Sequence, residues 1–123
     1  MKILTLYVLL LFSALQIVQA QDNPTIDHAR RVRDSLIQEK FADVVAEFDA
    51  RMTAALPVER LAQVWAGLKQ QAGDYQSEIS AEVATPQGYT AVSLGCRFER
   101  AELNMIVAFG ADGKIAGLQF VPR

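Results

Sequence analysis

FGADGKIAGLQFVPR, residues 109–123, gathers Gly110, Gly113, Lys114 and Gly117 into eight positions. Read as a phosphate-cradling loop, it would make the chain a nucleotide-handling enzyme. Such a loop needs four residues between its glycines, a Ser or Thr after the lysine, and then a helix. Here only Ala111 and Asp112 separate Gly110 from Gly113, Ile115 follows Lys114, and Ala116, Leu118 and Phe120 recur at every second position. Asp-Gly between two alternating stretches is a hairpin signal. The stretch is two strand ends and a turn, and the fold is read outward from it.

Leu103, Met105, Val107 and Phe109 alternate with their neighbours, and so do Val92, Leu94, Cys96 and Phe98. An Arg100-Ala101 turn would pair Phe98 with Leu103, Cys96 with Met105, Leu94 with Val107 and Val92 with Phe109. The Asp112-Gly113 turn would pair Phe109 with Ala116, Val107 with Leu118 and Met105 with Phe120. Every partner falls on one face, a match that a one-residue slip would scramble. Thr85-Pro86-Gln87-Gly88 is a further turn. Before it, Tyr75 to Ala84 alternates, with Ile79, Ala81 and Val83 on one side and Glu78, Ser80 and Glu82 on the other. Four antiparallel strands are predicted.

Upstream of Gly73 the period lengthens to that of a helix. Ile26, Ala29, Val32, Leu36 and Ile37 share one face, after a start in which Asn23 or Thr25 caps and Pro24 suits the first turn. Phe41, Val44, Val45, Phe48 and Met52 share another, with Asp43 and Glu47 opposite, and Asp49 suits the cap of a short helix to Leu56. Pro57 opens a third helix, with Val58, Leu61, Trp65, Leu68 and Ala72 in line and Gly73 as its stop. N-terminal helices followed by a four-stranded antiparallel meander with one apolar face make an α+β fold.

MKILTLYVLLLFSALQIVQA, residues 1–20, has one early charge at Lys2, an apolar run, and small Val18 and Ala20 before a cleavage site. It reads as a secretory signal peptide. The run is short for a membrane span and no basic stop follows it. Residues 21–25 are then a short linker and 26–123 a single domain. The expected localisation is periplasmic or secreted, with no stable membrane anchor after cleavage. Loss of Lys2 takes the formal charge from −2 to −3, so no global basic excess speaks for nucleic acid. Cys96 is the single cysteine, which leaves no partner for an internal disulfide.

The run FADVVAEFDARM, the Leu61, Trp65, Leu68, Gly73 helix, and GYTAVSLGCRFERAELNMIVAFGADGKIAGL together resemble domain-of-unknown-function family 3887, over roughly Ile26 to Phe120. The resemblance implies a nuclear-transport-factor-2-like, or cystatin-like, cone: a curved sheet wrapped around helices, often with an apolar pocket at its open end. Domains of this kind often precede a serine hydrolase of the α/β class. No G-x-S-x-G motif occurs in this chain. The family brings no catalytic residues to carry over.

The chemistry read from the residues leans away from an enzyme. The inward positions from Val92 to Phe120 hold no carboxylate, histidine or amide, whereas acid–base catalysis inside such a cone uses a carboxylate. The single histidine, His28, is placed beside the solvent face of the first helix. Cys96 lies between Leu94 and Phe98 on the inward face and reads as a buried thiol. Asp43 and Glu47 oppose an apolar stripe and read as a solvated face rather than metal ligands. Neither a metal nor a cofactor is expected.

Arg33 falls inside the apolar arc of the first helix, either snorkelling to the rim or binding an anion at a pocket mouth. Trp65 is either a core anchor or a pocket wall. The outward sheet face carries Ser93, Gly95, Ile106, Ala108 and Gly117, with Ile115 among them. The expected rows are Ser93, Ala108 and Gly117, then Gly95, Ile106 and Gln119. Such small residues either let the sheet curve or admit a homodimer partner or another protein. The leading expectation is an exported, non-catalytic small-ligand-binding or protein-assembly module. The alternatives are a small enzyme or carrier for an apolar ligand in the cone, or an accessory domain to a separate α/β serine hydrolase.

Overall fold

A computed structural model describes residues Asn23–Arg123. The expected signal peptide and its cleavage site lie outside the described residues. Helix α1 spans Pro24–Ile37, so it starts inside the stretch read as linker. Asn23 caps it, its side-chain oxygen accepting from Thr25 N–H at 2.9 Å and Ile26 N–H at 3.2 Å. Ala29, Val32 and Leu36 bury its apolar face. The helix ends in a Schellman turn: Lys40 N–H donates to Ser35 C=O at 2.8 Å and Glu39 N–H to Leu36 C=O at 2.9 Å. Glu39 supplies the left-handed residue, with φ 60°.

The second expected helical face is divided. Helix α2 covers Phe41–Val45 and α3 covers Ala50–Ala55. Between them Phe48 leaves the helix and lies parallel against Ile115. Ile115 N–H donates to Glu47 C=O at 2.8 Å, and Asp49 N–H to Ile115 C=O at 2.9 Å. Sheet pairing therefore takes the backbone groups that a continuous helix would have used. Asp49 still caps α3, accepting from Met52 N–H at 2.8 Å. Helix α4, Val58–Ala72, buries Leu61, Trp65 and Ala72 and stops at Gly73, φ 86°.

The four-stranded antiparallel sheet runs in the order β1 (Tyr75–Ala84), β2 (Thr90–Phe98), β3 (Glu102–Phe109), β4 (Ile115–Pro122). The chain is α+β, with the helices packed on one face of the sheet. Val92, Leu94, Cys96, Phe98, Leu103, Met105, Val107 and Phe109 join the helix residues in one core. The β2–β3 register differs from expectation by two residues: Cys96 faces Leu103, Leu94 faces Met105, and Val92 faces Val107. Phe98 N–H donates to Ala101 C=O at 2.8 Å, so the turn is Glu99-Arg100 rather than Arg100-Ala101. A shift of two keeps every side chain on its face.

The end of α4 holds that turn. Glu99 Oε1 accepts from Asp74 N–H at 2.9 Å, and Arg100 donates to the carbonyls of Gln70 at 3.0 Å and Gln71 at 3.4 Å. A Cβ on Gly73 would lie 2.6 Å from Glu99 Cβ.

Between β3 and β4, Met105 faces Phe120 and Val107 faces Leu118 as expected. Phe109 faces Ile115 instead of Ala116, because the ladder bulges there. The bulge turns Ile115 from the outer face into the core, where it is fully buried. The connection is a three-residue loop, Ala111-Asp112-Gly113, closed by Gly110 N–H to Lys114 C=O at 2.9 Å. Gly113 has φ 82°.

Strand β1 departs furthest from simple alternation. It carries irregularities between Tyr75 and Ser77 and between Glu78 and Ser80. Ser80 and Glu82 face Gly95 and Ser93 on the outer side, but Glu78 faces Cys96. Ile79 is the extra residue, and Glu78 is turned to the inner face.

Candidate functional site

The inner mouth of the sheet is built around Glu78. Arg30 grips its carboxylate with both arms, Nε to Oε1 at 3.0 Å and Nη2 to Oε2 at 2.8 Å. Arg33 adds Nη1 to Oε1 at 2.6 Å, while its Nε donates to Asp34 at 3.1 Å. The Arg33 guanidinium lies 5.4 Å from the centre of the Tyr75 ring. Its side chain is only 13% exposed. The Arg30 hydrogen bonds, and after them that of Arg33, hold the Glu78 carboxyl below its ordinary value against the opposing effect of burial. Glu78 is thus an anion at neutral pH with both oxygens engaged, which suits a structural tie and not a proton shuttle.

The alternation of β1 set Glu78 on the side opposite Ile79, Ala81 and Val83, with Ser80 and Glu82. The signal that could have found it is Arg33 itself: an arginine inside an apolar helix arc demands a counter-charge from whatever packs on it.

Behind this ion cluster lies a cavity of about 10 Å³, lined by Arg33, Trp65, Tyr75, Cys96, Met105 and Phe120 among others. It brings the two expected pocket residues, Arg33 and Trp65, to one place. The volume is of the order that one water needs. Trp65 packs edge-on against Phe98 at 6.3 Å and tilts against Phe120 at 6.0 Å between ring centres. Its Nε1–H is buried and has no hydrogen-bond partner among the described residues. The Cys96 thiol donates to Leu94 C=O at 3.4 Å, and burial pushes its pKa up.

On the outer face the register sets rows that differ from those expected. One row reads Ala84, Ala91, Ala108, Gly117; the next reads Glu82, Ser93, Ile106, Gln119. Ser93 therefore neighbours Ile106, and Ala108 neighbours Ala91. Gly95 sits in a third row, between Ser80 and Asn104. Arg123 crosses that row, its Nη1 donating to Ser80 Oγ and Asn104 Oδ1, each at 3.0 Å. A Cβ on Gly95 would meet that Nη1 at 2.2 Å. The absence of a side chain at Gly95 is what lets the arginine lie flat.

His28, expected beside the solvent face of the first helix, is partly buried there, its side chain 28% exposed. Its ring stacks on Phe109, 4.6 Å between centres and 26° from parallel, and its Nε2 contacts Glu47 Oε1. The pair ties α1 to the segment that bridges the sheet edge. Among the described residues no three His, Cys, Asp or Glu side chains converge as a metal site would need. No helix among them is long and apolar enough to cross a membrane.

Comparison with known proteins gives two findings. Residues 29–118 match the family described as "Protein of unknown function (DUF3887)". Over 85 residues the chain is 28% identical to esterase EstD of Thermotoga maritima, a match covering 69% of this chain and 21% of the esterase. The chain thus spans about one fifth of that relative. No solved structure matches it. With the family match running from the middle of α1 into β4, the chain belongs to the DUF3887 family.

Proposed function

We propose that this protein is an exported, non-catalytic protein-assembly module, with a curved sheet of the nuclear-transport-factor-2-like cone type. The observation that carries the reading is the size of the interior. A small-molecule site needs roughly 300–1,000 Å³; the enclosed space beside Arg33 is about 10 Å³, and the spaces of about 380 and 420 Å³ are open grooves on the outside of the domain. Arg33 is also committed to Glu78 and Asp34. The working surface is then external. The Ala84, Ala91, Ala108, Gly117 row, with Ser93 and Ile106 beside it, admits close approach by another protein. The esterase match suits this reading: about four fifths of that protein lies outside the matched part. An α/β serine hydrolase is the kind of partner such a module would accompany.

A second reading keeps one supporting observation, the unpartnered Trp65 Nε1–H. A small apolar ligand with one acceptor atom would satisfy it after the interior opened. Native mass spectrometry of the protein from its host's exported fraction separates the two. The expected species starts at Gln21 and carries a second protein chain and no small molecule. A monomer retaining a stoichiometric ligand would favour the carrier reading, and full-length membrane-bound protein would reject export. Ala108→Arg should leave the circular dichroism spectrum unchanged and abolish co-purification of a partner docked on the outer face.

A further inference from the structure

Strand β4 is an edge of the sheet, and the ladder decides which of its backbone groups are free. Arg123 N–H donates to Glu102 C=O at 3.2 Å. The alternation of an antiparallel ladder then makes Asn104–Val121, Ile106–Gln119 and Ala108–Gly117 the hydrogen-bonded pairs. Leu118 and Phe120, between them, turn their N–H and C=O groups to the open edge. Pro122 falls on the same side, where it has no N–H to lose. The side chains of Leu118 and Phe120, with Leu56, Val64, Leu68 and two glutamines, line an open groove of about 380 Å³ between β4 and α4. Val64 there is 41% exposed.

The other end of this edge is already filled by Phe48 against Ile115. The edge therefore receives a strand where the chain supplies one and, among the described residues, is open from Leu118 onward. Edge strands are commonly blocked by charge. Residues 115–122 contain no charged side chain, and none among the described residues lines the groove. An uncharged edge with two free donor–acceptor residues is its own complement. A second copy meets no repulsion on it.

We propose, building on the assembly reading, that the occupant is a second copy of this chain, β4 against β4, antiparallel about a two-fold axis through Gln119. Leu118 of each copy then exchanges main-chain hydrogen bonds with Phe120 of the other. A register centred nearer Ile115 is blocked by Phe48. The two four-stranded sheets become one, Val64 and Leu68 of both copies close over the groove, and the two outer faces join into one wide surface.

Gln119→Cys tests the register. Residues facing across such an axis without mutual hydrogen bonds have Cα atoms about 4.5 Å apart, within disulfide reach. Under a glutathione redox buffer the variant should form a covalent dimer, while Ser93→Cys and Val121→Cys should not. Val64→Glu should stay folded and weaken the dimer by at least roughly tenfold in sedimentation equilibrium. Cross-linking through Ser93→Cys instead would move the interface to the outer face and overturn the proposal. So would a wild-type monomer at millimolar concentration. If that monomer still captured a different exported protein, the assembly reading would stand and only the dimer would fall.

Discussion

Arg33 Nη1 meets Glu78 Oε1 at 2.6 Å across the inner mouth of the sheet, joining α1 to β1 at a place where both side chains have left most of the water. Breaking one partner of such a pair leaves the other desolvated and uncompensated. Glu78→Gln should therefore lower stability by about 2 kcal/mol at neutral pH, read by urea unfolding. The carboxyl's folded-state pKa lies below its unfolded value, so its contribution is present above about pH 4.3. It is lost as pH falls through the folded-state value. The wild-type and Glu78→Gln stability curves should converge in acid. A constant gap down to pH 3 would show that charge is not the cause.

Glu39 holds the left-handed position that ends α1, with φ 60°. A side chain there costs roughly 1 kcal/mol relative to glycine. Glu39→Gly should raise stability by about 0.5–1 kcal/mol, the lost surface contact with Lys69 being worth little. Unchanged or lower stability would mean that the Lys69 contact outweighs backbone relief.

Gly113, φ 82°, should tolerate a β-branched residue badly. Gly113→Val is expected to lose about 1–2 kcal/mol. Lys114→Ala should stay within about 0.5 kcal/mol, because Lys114 closes the loop through its backbone. Equal large losses would give the lysine side chain a role.

Cys96 is buried with its thiol pKa pushed up. Iodoacetamide should alkylate it roughly a hundredfold more slowly in the folded protein than in urea. Fast native labelling would show an interior that opens readily and would strengthen the carrier reading.

Period and turn chemistry made the α+β class, the inner-face residues of β2 and β3 and the Asp112-Gly113 turn legible. Hairpin alternation is local and carries its own register signal. What alternation does not encode is an inserted residue. The β1 irregularity at Ile79 and the β4 bulge at Ile115 each move one side chain to the opposite face, and each move has a distant cause. Glu78 answers Arg30 and Arg33 from α1, and Ile115 answers Phe48. The exact β2–β3 turn was likewise set from outside, by the end of α4. Of the two expected pocket residues, Arg33 was the better guide, since its misfit with an apolar arc marked the place where a counter-charge had to come.

The last turn of α4 is finished by Arg100, a residue from the hairpin that follows, through the carbonyls of Gln70 and Gln71. Neither half of the chain can therefore complete itself alone. In hydrogen-exchange terms, the amides at the end of α4 and those of the β2–β3 turn should open together as one cooperative unit. A grafted copy of the helices without that hairpin would carry a frayed end.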